Sequence, residues 1–171
     1  HLPVLVSKLS KLVGPDGPVN LAMTTNGATM RLVADSLKQA GLKRVNISLD
    51  TLDRTKFHQM TRRDELNNVL DGIRAAQEVG FDPVKINAVI ERGTNDDELI
   101  DLATFGREQN VEVRFIEFMP LDAEGHWMNG KVVGQEEIVE KINAVYPVEV
   151  LPARGAAPAD RFRFLDGGLH G

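Results

Sequence analysis

The sequence predicts an α/β fold of parallel β-α units forming a partial parallel barrel, and three observations predict it. Four short strand-like segments are separated by helical stretches of about ten residues or more, the length a parallel crossover needs. The strand segments alternate apolar with polar residues, whereas parallel strands covered by helices on both faces read as continuous apolar runs. The third observation is that the polar positions of successive strands fall on one common face, which suits the interior of a barrel better than an open sheet.

The elements follow in order. After His1, the residues Leu2, Val4, Leu5, Leu9 and Leu12 form a helix-like pattern. LAMTTNG (21 to 27) is the first strand, ending in a turn, and Met30 to Ala40 places Leu32, Val33, Leu37 and Ala40 at helical spacing. RVNISLD (44 to 50) is the second strand. Asp53 is a candidate cap for a short turn through Phe57, and Leu66 to Val79 carries Val69, Leu70, Ile73 and Ala76 on one stripe before Gly80 stops the helix. In PVKINAVIE (83 to 91), Val84, Ile86, Ala88 and Ile90 alternate with Lys85, Asn87, Val89 and Glu91. Asn95 and Glu98 then resemble a capping box for a helix to about Arg107 that carries Leu99, Ile100, Leu102 and Phe105. VEVRFIEFMP (111 to 120) is the fourth strand, closed by Pro120. A polar loop to about Gly134, a helix from Ile138 to Val145, the PARGAAPAD tail and RFRFLDGG complete the chain.

Composition narrows the function. The 171 residues are 42% hydrophobic and 26% charged, those of one soluble globular unit. A net charge of -5 disfavours a nucleic-acid surface, since the basic pair Arg62 and Arg63 is followed at once by Asp64 and Glu65. There is no cysteine, so the chain itself holds no disulfide, thiolate zinc site or cysteine-ligated cluster. His1, His58, His126 and His170 are too far apart to read as a metal-ligand motif. No apolar run reaches the ~20 residues that span a bilayer, so no membrane segment is expected and the default location is cytoplasmic. The chain starts without methionine and ends in GGLHG, and reads as cut at both ends.

The polar face carries the chemistry. Thr24 and Asn26, then Asn46, Ser48 and Asp50, then Lys85 and Asn87 alternate with apolar neighbours. An unpaired buried amide or hydroxyl costs ~1–3 kcal/mol, so such a face needs polar contents. An unpaired buried ammonium costs several kcal/mol, so Lys85 requires an anionic partner. That partner is either a carboxylate, Asp50 or Glu117, or an anionic ligand such as a phosphate. Thr24, Ser48, Asp50, Glu117 and Met119 lie at strand C-termini, where barrels of this type collect their chemistry. A lysine inside a parallel barrel also suits a Schiff-base aldolase, and a non-catalytic nucleotide-binding remnant is a third reading.

TTNG (24 to 27), AGLKRVNISLDTLD (40 to 53), GFDPVKINAVIERGTNDDE (80 to 98) and RFIEFMPLD (114 to 122), in that order and spacing, closely resemble the central part of the molybdenum cofactor biosynthesis protein A family. RGAAPADRF (154 to 162) resembles the family's tail before its second cluster domain. These are GTP 3',8-cyclases of the radical S-adenosylmethionine type. The resemblance implies an incomplete barrel of the radical SAM type, S-adenosylmethionine and two 4Fe-4S clusters as cofactors, and abstraction of hydrogen from the ribose C3' of GTP followed by attack on guanine C8. It implies GTP contacts at Thr24 and Lys85 and S-adenosylmethionine contacts at Ser48 and Met119. Residues 1–148 would be partial barrel and 149–171 the start of a C-terminal extension. With the cluster cysteines absent, the chain as given is expected to be an inactive fragment. The exposed edges of a four-stranded sheet predict a homo-oligomer or a poorly soluble chain.

Overall fold

The computed structural model describes residues 1–15, 17–119, 129–152 and 159–166. Outside them lie the strand end at Pro120, most of the polar loop that follows, most of the PARGAAPAD tail and the terminal GGLHG. The chain opens with helix α1 (Leu2–Leu9) and a two-stranded antiparallel hairpin, β1 (Val13–Gly14) with β2 (Gly17–Pro18). Then come β3 (Ala22–Thr25), α2 (Met30–Gln39), β4 (Arg44–Ser48), α3 (Arg54–Thr61), α4 (Leu66–Glu78), β5 (Lys85–Ile90), α5 (Leu99–Gln109) and β6 (Glu112–Glu117). A 3-10 turn (Asn129–Lys131), α6 (Gln135–Val145) and the antiparallel hairpin of β7 (Val148–Leu151) with β8 (Arg161–Phe164) complete it.

Strands β3 to β6 form one sheet in the order β3-β4-β5-β6, every pair parallel. Each crossover therefore moves the chain one strand along in the same direction, as in a barrel wall. The apolar set of the two central strands and their flanks packs under the helices: Val45, Ile47, Leu49, Val84, Ile86, Ala88 and Ile90 are all buried. Helix α2 presents Met30, Ala34 and Leu37 to this core. Leu32, expected on that stripe, is instead 82% exposed, because two residues beyond Met30 is the opposite side of a helix.

Asp53 caps α3 as expected, accepting the Lys56 backbone N–H at 2.8 Å, and the helix runs on to Thr61 rather than ending near Phe57. Gly80, at φ +85°, follows the end of α4. Gly27, at φ +77°, closes the turn after β3; a Cβ there would stand 2.7 Å from Ile47 Cγ2. Gly72 of α4 lies directly beneath the same turn, so the turn and helix fit only without side chains at either position.

The capping box expected at Asn95 and Glu98 does not form. Residues 92–97 are turns, α5 starts at Leu99, and no side chain caps it. Both side chains turn inward instead. Asn95, fully buried, donates to the carbonyls of Asp50 (2.6 Å) and Val89 (2.9 Å) and accepts from the Glu91 N–H (2.8 Å). Glu98 accepts from Thr51 Oγ1 (2.7 Å) and the Leu52 N–H (2.8 Å) and pairs with Lys56 at 3.0 Å. Together they clamp the C-terminal ends of β4 and β5 to the loop before α3.

The β7–β8 hairpin is anchored through Arg107 of α5, whose guanidinium lies 4.5 Å from the Tyr146 ring centre and 4.7 Å from that of Phe164 and pairs with Asp166 at 2.6 Å. No helix among the described residues is long and apolar enough to cross a membrane.

Candidate functional site

Strand register sorts the polar face into two cross-strand rows. Thr24, Asn46, Lys85 and Glu112 stand side by side on β3, β4, β5 and β6. One pleat further, Ser48, Asn87 and Arg114 form the second row. Two residues of strand separate the rows by about 6.6 Å. Thr24, Lys85 and Ser48 thus share one face, as the alternation predicts. Met119 does not join them: it lies two residues beyond the end of β6, 66% exposed.

The partner of Lys85 is a carboxylate, but neither of the two expected. Its Nζ lies 2.5 Å and 2.7 Å from the two carboxylate oxygens of Glu112, with the side chains 17% and 14% exposed. Glu117 pairs in register with buried Ile90, so it lies on the helix side of the sheet, where it accepts the Gln135 N–H at the start of α6 (2.7 Å). Asp50 is on the polar face but bonds to the Val89 N–H at 2.8 Å. Burial pushes its carboxyl above the ordinary 3.8, with the Val89 amide opposing.

Arg114, which sequence reasoning passed over, donates from Nε to the same Glu112 oxygen at 3.1 Å. Burial raises the Glu112 pKa, but the hydrogen bonds and charges of Lys85 and Arg114 outweigh it and hold the carboxyl below 4.5. One carboxylate therefore serves two cations. Counting alternate residues back from Glu117 would have separated Glu112 and Arg114 from the helix-facing set. A Schiff-base lysine needs a desolvated free amine in an apolar pocket, and Lys85 is gripped by two carboxylate oxygens instead.

Two cavities flank these rows. A cavity of about 160 Å³ at the C-terminal ends of β3 and β4 is lined by Asn26, Ser48, Asp50, Phe57 and Met60. A larger groove of about 410 Å³ runs along β6 between α6 and the β7–β8 hairpin and is walled by Phe115, Ile138, Ile142, Phe162 and Phe164, with Arg114 at its border. The polar chemistry belongs with the smaller cavity and the open face beside it; the larger groove is mostly apolar.

Asn87 Oδ1 is buried without a hydrogen-bond partner among the described residues, at a cost of ~1–3 kcal/mol that a donor on a bound molecule would relieve. Beside the Ser48 hydroxyl, it suits a polar, hydroxyl-rich ligand such as a nucleoside. An iron-sulfur cluster is a different matter: the chain has no cysteine, and no group of three or more His, Asp or Glu among the described residues could hold a metal. These residues do not fit a cluster.

A one-directional parallel wall of four strands with one polar face defines part of a β/α barrel. It superposes on the crystal structure of HydG, a maturase of the [FeFe]-hydrogenase, with a TM-score of 0.56 over 83% of this chain and 34% of that one, at 12% identity. The chain belongs to the radical SAM superfamily, whose family pattern matches residues 1–106. Among curated relatives, it is 43% identical to a GTP 3',8-cyclase of Moorella thermoacetica over 95% of this chain and 50% of that protein. It is 42% identical to one from Streptomyces coelicolor (98% and 50%) and 44% identical to one from Acidothermus cellulolyticus (97% and 46%). The chain spans about half the length of the curated relatives it matches.

Proposed function

We propose that these residues are the nucleotide-facing half of a GTP 3',8-cyclase of molybdenum cofactor biosynthesis, working in the cytoplasm with S-adenosylmethionine and 4Fe-4S clusters. The observation that carries the reading is the in-register polar face, where Thr24 and Lys85 share one row and Ser48 lies in the next, beneath relatives that bear the cyclase name. Thr24 and Lys85 contact GTP, the ammonium of Lys85 meeting its phosphates. Ser48, with Met119 at the strand end, contacts S-adenosylmethionine. The rows lie about 6.6 Å apart, so two nucleotides occupy adjacent levels of one polar face.

S-adenosylmethionine supplies radical chemistry when bound; the residues here bind and orient both nucleotides. The cluster ligands are no part of these residues, which contain no cysteine. In this reading residues 1–148 belong to the barrel and 149–171 begin a C-terminal extension; the β7–β8 hairpin, which straddles that boundary, packs its Phe164 ring against Arg107 of α5.

The test is activity of the complete gene product carrying these residues, purified without oxygen and supplied with GTP, S-adenosylmethionine and a reductant. Conversion of GTP to a product with a bond from ribose C3' to guanine C8 supports the proposal. Turnover of S-adenosylmethionine with GTP left intact would refute it.

A further inference from the structure

The first row holds more than a counter-ion for Lys85. An ammonium has three N–H donors, and two of those of Lys85 are directed at the oxygens of Glu112, at 2.5 Å and 2.7 Å. The same carboxylate takes the Nε–H of Arg114 at 3.1 Å. The remaining members of the row, Thr24 and Asn46, are neutral, and the hydroxyl and amide bond each other weakly at 3.4 Å. A structural ion pair needs one cation for one anion. Here, among the described residues, two cations share one carboxylate, and Arg114, with a side chain 40% exposed, carries the surplus positive charge to the open side of the sheet. The most favourable place for an incoming phosphate oxygen is therefore the one Glu112 already occupies.

We propose that Glu112 is a placeholder anion that sets the affinity of this site for polyphosphate. Without ligand, it keeps Lys85 and Arg114 ordered and satisfied on a half-buried face, where an unpaired cation is costly. A phosphate chain takes over their donors, and Glu112 yields them. Glu112 opposes binding twice, through the ion pairs that must open and through its repulsion of the phosphates. The second effect grows with ligand charge, so Glu112 acts on the phosphate chain and leaves the nucleoside untouched. This rests on the reading that Lys85 meets the phosphates of GTP.

Calorimetric titration of the complete gene product tests it with three probes: GTP, inorganic triphosphate and guanosine. Glu112→Gln keeps a side chain of nearly the same shape and removes the charge. The expected result is binding of GTP and triphosphate tightened about tenfold, the size of one unit charge removed a few ångströms away and partly screened, with guanosine unchanged. Adding Lys85→Ala to Glu112→Gln should abolish the gain. Unchanged or weakened triphosphate binding in Glu112→Gln, with Lys85→Ala still lowering it, overturns the placeholder role while leaving the phosphate contact intact. Triphosphate binding indifferent to Lys85→Ala alone overturns the phosphate contact itself, and the placeholder with it. Should Glu112→Gln fold poorly, NMR of the wild-type glutamate carboxyl carbons reads the same event. The Glu112 resonance should move on adding triphosphate and stay put on adding guanosine; no movement with triphosphate overturns the proposal.

Discussion

Asn95 offers the sharpest perturbation of the frame that carries the polar face. It is fully buried and makes three hydrogen bonds, two donated to the Asp50 and Val89 carbonyls and one accepted from the Glu91 N–H. At a net worth of about 1 kcal/mol each, Asn95→Ala should cost about 3 kcal/mol, more if the bared carbonyls find no water. Asn95→Asp is the informative control. It retains the acceptor for Glu91 but turns a second oxygen toward two carbonyls 2.6 Å and 2.9 Å from the amide nitrogen it replaces, so it should cost at least as much. The assay is native-state hydrogen exchange, which reads local opening without requiring a two-state protein. Asn95→Ala should expose the Glu91 amide strongly, whereas Asn95→Asp keeps that bond and instead loosens the strand ends around Ser48 and Val89. If Asn95→Asp leaves stability within about 0.5 kcal/mol of wild type, a level typical of surface changes, the clamp is not as described.

Other consequences follow from the same geometry. The folded pKa of Asp50 is raised above 3.8, so its contribution to stability is full below pH 3.8 and is lost as pH rises through the folded value; Asp50→Asn should flatten that part of a pH–stability curve. Glu112 has the opposite sign: its folded pKa lies below 4.5, so its contribution is present above pH 4.5 and lost as pH falls through the folded value, a loss that Glu112→Gln should remove from acid titrations. The 171-residue chain by itself, treated anaerobically with iron and sulfide, should retain no cluster by iron analysis. It should also self-associate in analytical ultracentrifugation, because β3 and β6 are the outer strands of the sheet and Leu2, Val4, Leu5 and Val13 are exposed; a single monomeric species would contradict this.

The period-two alternation made the sheet legible. Once Val45, Ile47 and Leu49 are assigned inward, Asn46 and Ser48 have only one face left, and the same holds for Lys85 and Asn87. Gly80 and Asp53 worked as local punctuation, because a left-handed residue and a side-chain cap are chosen by neighbours in sequence. What escaped depends on register between strands. Glu112 meets Lys85 because β5 and β6 start level, which no property of either segment alone dictates. The inward turn of Asn95 and Glu98 likewise follows from their burial against β4, where tertiary hydrogen bonds outweigh a local capping pattern. Met119 stands apart from the rows because it shares the parity of Glu117, on the helix side of the sheet, and lies beyond the end of β6.

The central claim is that two nucleotides occupy neighbouring levels of one polar face, and paired titrations of the complete gene product test it most directly. Lys85→Ala should weaken GTP binding about tenfold or more, the scale of a lost charged hydrogen bond of roughly 1.5–3 kcal/mol, and leave S-adenosylmethionine nearly unaffected. Ser48→Ala should do the reverse, with a smaller loss for a neutral hydroxyl. Affinities for both nucleotides that neither substitution changes would contradict the account.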